Sequence, residues 1–167
     1  MKMGVEKEIR LSYEEIPRSG WDEQLSLLEQ EAYEAARKAY APYSRFKVGA
    51  AVLLSNGIVV TGSNQENAAY PSGSCAERTA LFYAGAQYPK ASVVMIVIVA
   101  ENEQGRIQNI SPCGACRQVM AEVSSRQKAA FAVALCGTDK ATVIKNNWDL
   151  LPFSFSAHSL SDPSTQE

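Results

Sequence analysis

Histidine is almost absent from this chain: the single residue, His158, sits in a polar C-terminal stretch. A Ser-His-Asp triad needs a placed imidazole, and one histidine near the end argues against it. We read His158 as a solvated tail residue. Long apolar runs are missing too. The longest, Val93 to Ala100, is far too short to span a bilayer and reads as a buried strand. No Lys/Arg block stands out and the formal net charge is −2, so no large basic surface for nucleic acid is advertised. Met1 to Ile16 lacks an apolar signal-peptide core, which makes the cytoplasm the default expectation. Disulfides are rare there, so the four cysteines are expected as metal ligands or free thiols. The Asn109-Ile110-Ser111 sequon then has no meaning. With 167 residues, 46% of them hydrophobic, the chain suits one domain with a sizeable core.

Residues 1 to 20 read as an N-terminal extension of unknown role, with a short strand at Glu8 to Tyr13. Residues 21 to 167 read as a single domain. Ser19 to Asp22 resembles a capping box. A helix to Tyr40 follows, carried by Leu25, Leu28, Ala32, Ala35 and Ala39, and Ala41-Pro42 ends it. Phe46 to Leu54 and Ile58 to Ser63 read as strands, joined by the hairpin signal Asn56-Gly57. A helix from Cys75 to Ala84 is expected to stop at Gly85. After strand Val93 to Ala100, a helix begins at Pro112 with Ser111 as its cap and runs to Ser124. Ala129 to Leu135 and Ala141 to Lys145 read as the last strands, and Asn147 to Leu150 as a short helix. A hairpin followed by strand-helix alternation predicts an α/β fold: a mixed sheet with helices on both faces.

Chemistry concentrates in Cys75-Ala76-Glu77 and Pro112-Cys113-Gly114-Ala115-Cys116. Cys113 and Cys116, at i and i+3, face one side of a helical turn. Cys75 and Glu77 lie in the first turn of another helix. The partial positive charge of a helix N-terminus stabilises thiolate. Three thiolates leave one tetrahedral position of a zinc ion open, the arrangement of a catalytic zinc site. Water there becomes a nucleophile near neutral pH, and Glu77 is placed to carry its proton. The combination points to hydrolytic removal of an amino group from a pyrimidine or purine ring. The excess negative charge calls for a nearby cation, and Arg78 and Arg117 are the candidates.

Simpler readings compete. Cys113-Gly114-Ala115-Cys116 alone fits a dithiol redox centre, but that leaves Cys75 and Glu77 idle. Glu77 alone fits a capping box with Ser74. A structural zinc needs a fourth ligand, which neither His158 nor Cys136 supplies; Cys136 reads as a small core residue.

At these residues the chain resembles the short, homotetrameric, three-cysteine zinc cytidine deaminases, within the cytidine/deoxycytidylate deaminase superfamily. The resemblance runs from about Ala36 to Leu160. It is carried by Ala41-Pro42-Tyr43-Ser44-Arg45-Phe46-Lys47-Val48-Gly49-Ala50 and by Asn64-Gln65-Glu66-Asn67-Ala68-Ala69-Tyr70-Pro71. Cys75-Ala76-Glu77-Arg78-Thr79-Ala80, Ser111-Pro112-Cys113-Gly114-Ala115-Cys116-Arg117-Gln118 and Leu150-Leu151-Pro152 complete it. It implies a three-layer α/β/α sandwich around a central mixed five-stranded sheet. It implies zinc-dependent hydrolysis of cytidine and 2′-deoxycytidine to the uridines, with release of ammonia, in pyrimidine salvage.

The resemblance also assigns roles. Cys75, Cys113 and Cys116 hold one zinc per subunit, and Glu77 shuttles protons. Asn64 and Glu66 hold the ribose, Glu66 by its hydroxyls, and backbone groups near Ala76 meet the base edge. Phe46 packs near the pyrimidine, although a core position on its strand fits equally well. Phe155 stacks on the base from a neighbouring subunit; a two-residue shift would substitute Phe153. Arg78 bonds zinc-ligand sulfurs, and Tyr70 contacts another subunit. The partner is then a small nucleoside, in a homotetramer whose sites neighbours complete, with no nucleic acid polymer and no membrane. Ser72 and Ser74 depart from the family's usual apolar residues. The rivals are a deaminase of another small cytosine nucleoside such as an antibiotic, a polynucleotide-editing deaminase, and a non-catalytic zinc module. Editing enzymes typically use a His as first ligand and carry basic surface, and this chain has neither.

Overall fold

The computed structural model describes residues 4–157 and residue 160. His158 and the end of the tail lie outside them. The strands are β1 (Glu14–Pro17), β2 (Lys47–Leu54), β3 (Val59–Ser63), β4 (Val93–Asn102), β5 (Gly105–Arg106), β6 (Ala132–Cys136) and β7 (Lys140–Ile144). The helices are α1 (Glu23–Ala36), α2 (Ala76–Gln87) and α3 (Gly114–Gln127). The sheet order is β1-β7-β6-β4-β2-β3, with β5 paired to β4. Among the described strands, only β4 and β6 pair in parallel. Their link is α3, the kind of crossover that parallel strands require.

Alternation along the strands divides the core in two. Ala50, Val52, Ile96, Ile98 and Val133 face α2 and α3. Ala51, Val97, Val99 and Ala134 face α1. The three-layer α/β/α arrangement therefore holds. The sheet is wider than five strands, because β1 pairs with β7 and the short β5 folds back on β4.

The helices lie close to the sheet where it carries glycine. A Cβ on Gly49 would sit 1.8 Å from the Ala32 carbonyl oxygen of α1, and one on Gly62 only 2.6 Å from Ala76 O and Ala80 N of α2. Small residues at one-turn spacing, Ala76, Ala80 and Ala84, let α2 approach. This contact seats the helix that bears Cys75 and Glu77.

Several boundaries differ from expectation. The N-terminal strand is Glu14–Pro17, not Glu8 to Tyr13, because its partner β7 fixes the register. Asp22 caps α1 itself, accepting from the Leu25 N–H at 2.7 Å, while Ser19 lies in a preceding 3-10 turn. The helix α1 ends at Ala36 rather than Tyr40, since Tyr40 donates its N–H to Asn64 O. Gly85 does not end α2; it makes room for the Arg126 guanidinium of α3. Pro112 is buried ahead of α3, and Cys113, not Ser111, occupies the cap position. The Asn56-Gly57 turn forms as expected, with Gly57 at φ 82°.

Candidate active site

Two helix starts meet at the site. Cys75 is the N-cap residue of α2 and Cys113 that of α3, and neither side chain accepts from the backbone N–H groups of its own helix start. Cys116 lies one turn into α3 and is buried. The Cys75 and Cys113 sulfurs are 3.8 Å apart, and those of Cys113 and Cys116 3.4 Å. All three lie within 4.8 Å of one another. Sulfurs at the corners of a tetrahedron with Zn–S of about 2.3 Å are separated by about 3.8 Å, so the donor set fits zinc.

Their ionisation points the same way. Hydrogen bonding from Cys116 pulls the Cys75 thiol from 9.0 to about 5 against its desolvation, with Arg78 and Cys113 assisting. Cys116, hydrogen-bonded to Cys75 and buried, is pushed far upward. One thiolate forms readily and the last resists, and a cation among them lets all three ionise.

Glu77 is 4% exposed. Burial raises its carboxyl above the ordinary 4.5, and the neighbouring Cys75 charge adds to that. Arg78 donates to Gly73 O at 3.1 Å and lies 3.8 Å from the Cys75 sulfur. Its charge is therefore on the cluster. Arg117 is not: it donates to the Pro112 and Leu150 carbonyls and braces the backbone behind Cys113.

A cleft of 680 Å³ opens beside the sulfurs, and Phe46, Asn64, Glu66, Tyr70, Ala76 and Glu77 all line it. Phe46 precedes β2 rather than lying on it, and it faces the cleft instead of the core. The Asn64 amide clasps the backbone on either side of Lys47: Oδ1 accepts from Val48 N–H and Nδ2 donates to Phe46 O. Glu66 Oε2 accepts from the Tyr43 and Ser44 N–H groups, and Oε1 from the Ser44 hydroxyl. That hydroxyl chiefly holds the Glu66 carboxyl below its usual value. Three of about four acceptor positions are thus filled, leaving one rather than a two-pronged grip. Ser74 exchanges backbone hydrogen bonds with Gln65, which ties the cleft loop to the start of α2.

Tyr70 is 79% exposed and meets Tyr43 edge-on at 6.5 Å. Phe155, 59% exposed, does not line its own chain's cleft; its carbonyl accepts from Gln118 on α3. Phe153 is 94% exposed with φ 59°. Cys136 lies in the α1-side core, apart from the sulfur cluster. Sequence reasoning passed over Ser44 and Gln118, although both stand inside the segments that carried the resemblance.

Residues 22–132 match the family model described as the cytidine and deoxycytidylate deaminase zinc-binding region. The chain belongs to this family. It is 42% identical over 136 residues to a cytidine deaminase of Halalkalibacterium halodurans, covering 81% of this chain and 97% of the relative. It is 40% identical over 131 residues to one of Sporosarcina psychrophila, covering 78% and 90%. The crystal structure of a Burkholderia pseudomallei cytidine deaminase superposes with a TM-score of 0.66 at 43% identity, covering 78% of this chain and 98% of that one. Among the described residues no helix is long and apolar enough to cross a membrane.

Proposed function

We propose that this protein hydrolyses cytidine and 2′-deoxycytidine to uridine and 2′-deoxyuridine, releasing ammonia. One observation carries the reading: three cysteine sulfurs cluster beside a cleft that the buried carboxyl of Glu77 lines together with Glu66. Zinc held by Cys75, Cys113 and Cys116 supplies a Lewis acid that makes water nucleophilic near neutral pH.

The proton traffic belongs to Glu77. Its carboxylate takes a proton from the attacking water and delivers it to ring N3, which makes C4 electrophilic. Once the C4–O bond forms, Glu77 takes the proton left on that oxygen and passes it to the amino group. The C4–N bond then breaks and ammonia leaves. A carboxyl raised by burial suits a group that must both take and give a proton. Phe46 forms a wall for the pyrimidine, and backbone groups at Ala76 meet the base edge. Asn64 sets the backbone at Phe46, and Glu66 accepts a sugar hydroxyl through its open position. A phosphate on that sugar would meet the Glu66 charge, which favours nucleosides over nucleotides and polymers.

In this reading residues 1–20 extend a single deaminase domain, 21–167, acting in pyrimidine salvage in the cytoplasm. The exposure of Tyr70 and Phe155 supports a homotetramer: Tyr70 contacts a neighbour and Phe155 stacks on the base in the neighbour's cleft. The Gln118 bond to the Phe155 carbonyl favours Phe155 over the freer Phe153. The test is the loss of cytidine absorbance with zinc-loaded protein, beside Glu77→Ala. Uridine formed by the unmutated protein alone, with zinc held by both, is the expected result. Absence of conversion with zinc bound would end this reading.

A further inference from the structure

The loop between α1 and β2 contains a side chain that bonds both Glu66 and the backbone of Phe46, two residues that line the cleft. Ser44 Oγ donates to Glu66 Oε1 and accepts the Phe46 N–H at 3.0 Å. The Ser44 and Tyr43 amides fix Glu66 Oε2 at 3.3 and 2.9 Å. The loop turns at Arg45, which lies in the left-handed region at φ 54° and whose N–H closes a turn on Ala41 O. Arg45 also pairs with Glu103 at 2.9 Å, which anchors the loop from its other side.

We infer that Ser44 is a positioning residue for nucleoside binding: its hydroxyl aims the Glu66 carboxylate at the sugar and, through the Phe46 amide, sets the aromatic wall for the base. The inference rests on the deaminase reading above. A hydroxyl can donate once and accept twice. Here the single donor goes to the carboxylate and one acceptor position to the backbone, so neither contact can be replaced by the other. An ordinary serine turn would need only the Phe46 N–H. The carboxylate contact is extra, and it reaches across 22 residues of sequence to the loop after β3. With this donor gone, Glu66 keeps only its two amide bonds on Oε2, and its other oxygen turns toward water instead of the sugar.

Steady-state kinetics with cytidine test this in Ser44→Ala, Ser44→Thr, Glu66→Gln and the double variant Ser44→Ala/Glu66→Gln. Loss of one hydrogen bond to a charged group predicts a roughly tenfold rise in KM for Ser44→Ala, with a smaller change in kcat. Ser44→Thr, which keeps the hydroxyl, restores most of the affinity. In the Glu66→Gln background the Ser44→Ala effect on KM shrinks, because the two side chains act through one contact. An unmoved KM in Ser44→Ala overturns the inference. So does a full, additive effect of Ser44→Ala in the Glu66→Gln background, which would mark a role in loop structure alone. Lack of turnover by the unmutated protein would sink the deaminase reading and this inference together, whereas turnover with either of those two results sinks this inference alone.

Discussion

Gly62 touches neither a sulfur nor the cleft, yet Gly62→Ala is expected to damage the metal site. It lies on β3 directly beneath the first turn of α2. The added methyl would stand 2.6 Å from both Ala76 O and Ala80 N, and both are helix backbone. Comfortable carbon contacts begin near 3.5 Å, so α2 must rise by roughly 0.9 Å or the sheet must yield by the same amount. Cys75 and Glu77 ride on that turn, while Cys113 and Cys116 stand on α3. Zinc–ligand distances tolerate only about 0.2 Å. The overpacking should cost about 1–3 kcal/mol of stability. The displacement should weaken zinc binding roughly tenfold or more, as displaced supporting residues do elsewhere. Zinc affinity is measured by chelator competition at a temperature where circular dichroism shows both proteins folded, and turnover is followed alongside. If Gly62→Ala melts lower but keeps both zinc affinity and kcat, the methyl has been absorbed away from α2. The argument that the sheet sets the sulfur geometry would then be wrong.

Two further predictions concern the α1 side of the sheet. Arg18 grips Glu29 with two bonds of 2.9 and 2.8 Å, and Glu29 is only 5% exposed. In Arg18→Ala, Glu29 keeps only Arg106 at 3.7 Å; because Arg18 is itself partly exposed, a loss of about 1–3 kcal/mol is expected, read as a lower urea midpoint with little change in kcat. Burial pushes the Cys136 thiol from 9.0 up to about 12. It should therefore escape alkylation at pH 8 in the folded protein, which peptide mass analysis would check. The folded thiol stays neutral while the unfolded one ionises, so this group's stabilisation is complete below pH 9 and is lost as pH rises through about 12. Thermal melts that do not fall across that window would contradict the assignment.

Helix and strand identity was legible because each rests on local pattern. The apolar run of β2, the Asn-Gly turn that joins it to β3 and the helical spacing of α1 are all local features. Their ends were less legible. The helix α1 stops at Ala36 because Tyr40 is drawn into a bridge with Gln65, a partner distant in sequence. Gly85 has the look of a helix stop, yet it serves the approach of Arg126 from another helix. The edge strand β1 could be located only once β7 was in place, since a short strand has no register of its own.

The site divides in the same way. The residue types and spacings of Cys75, Glu77, Cys113 and Cys116 announced zinc and a proton carrier, because those side chains have few other uses in that order. That Arg78 and not Arg117 faces the sulfurs was decided by the fold: both arginines adjoin cluster residues, but Arg117 is drawn to two backbone carbonyls behind Cys113. The Ser44 bond to Glu66 was invisible in one dimension for a similar reason, as it joins two loops that only the β2–β3 hairpin brings together. By itself the sequence determined which chemistry this chain can perform, since that depends on which groups are present. The tertiary structure decided which groups share a cleft, because distance and burial, not identity, set what a thiol or a carboxyl can do.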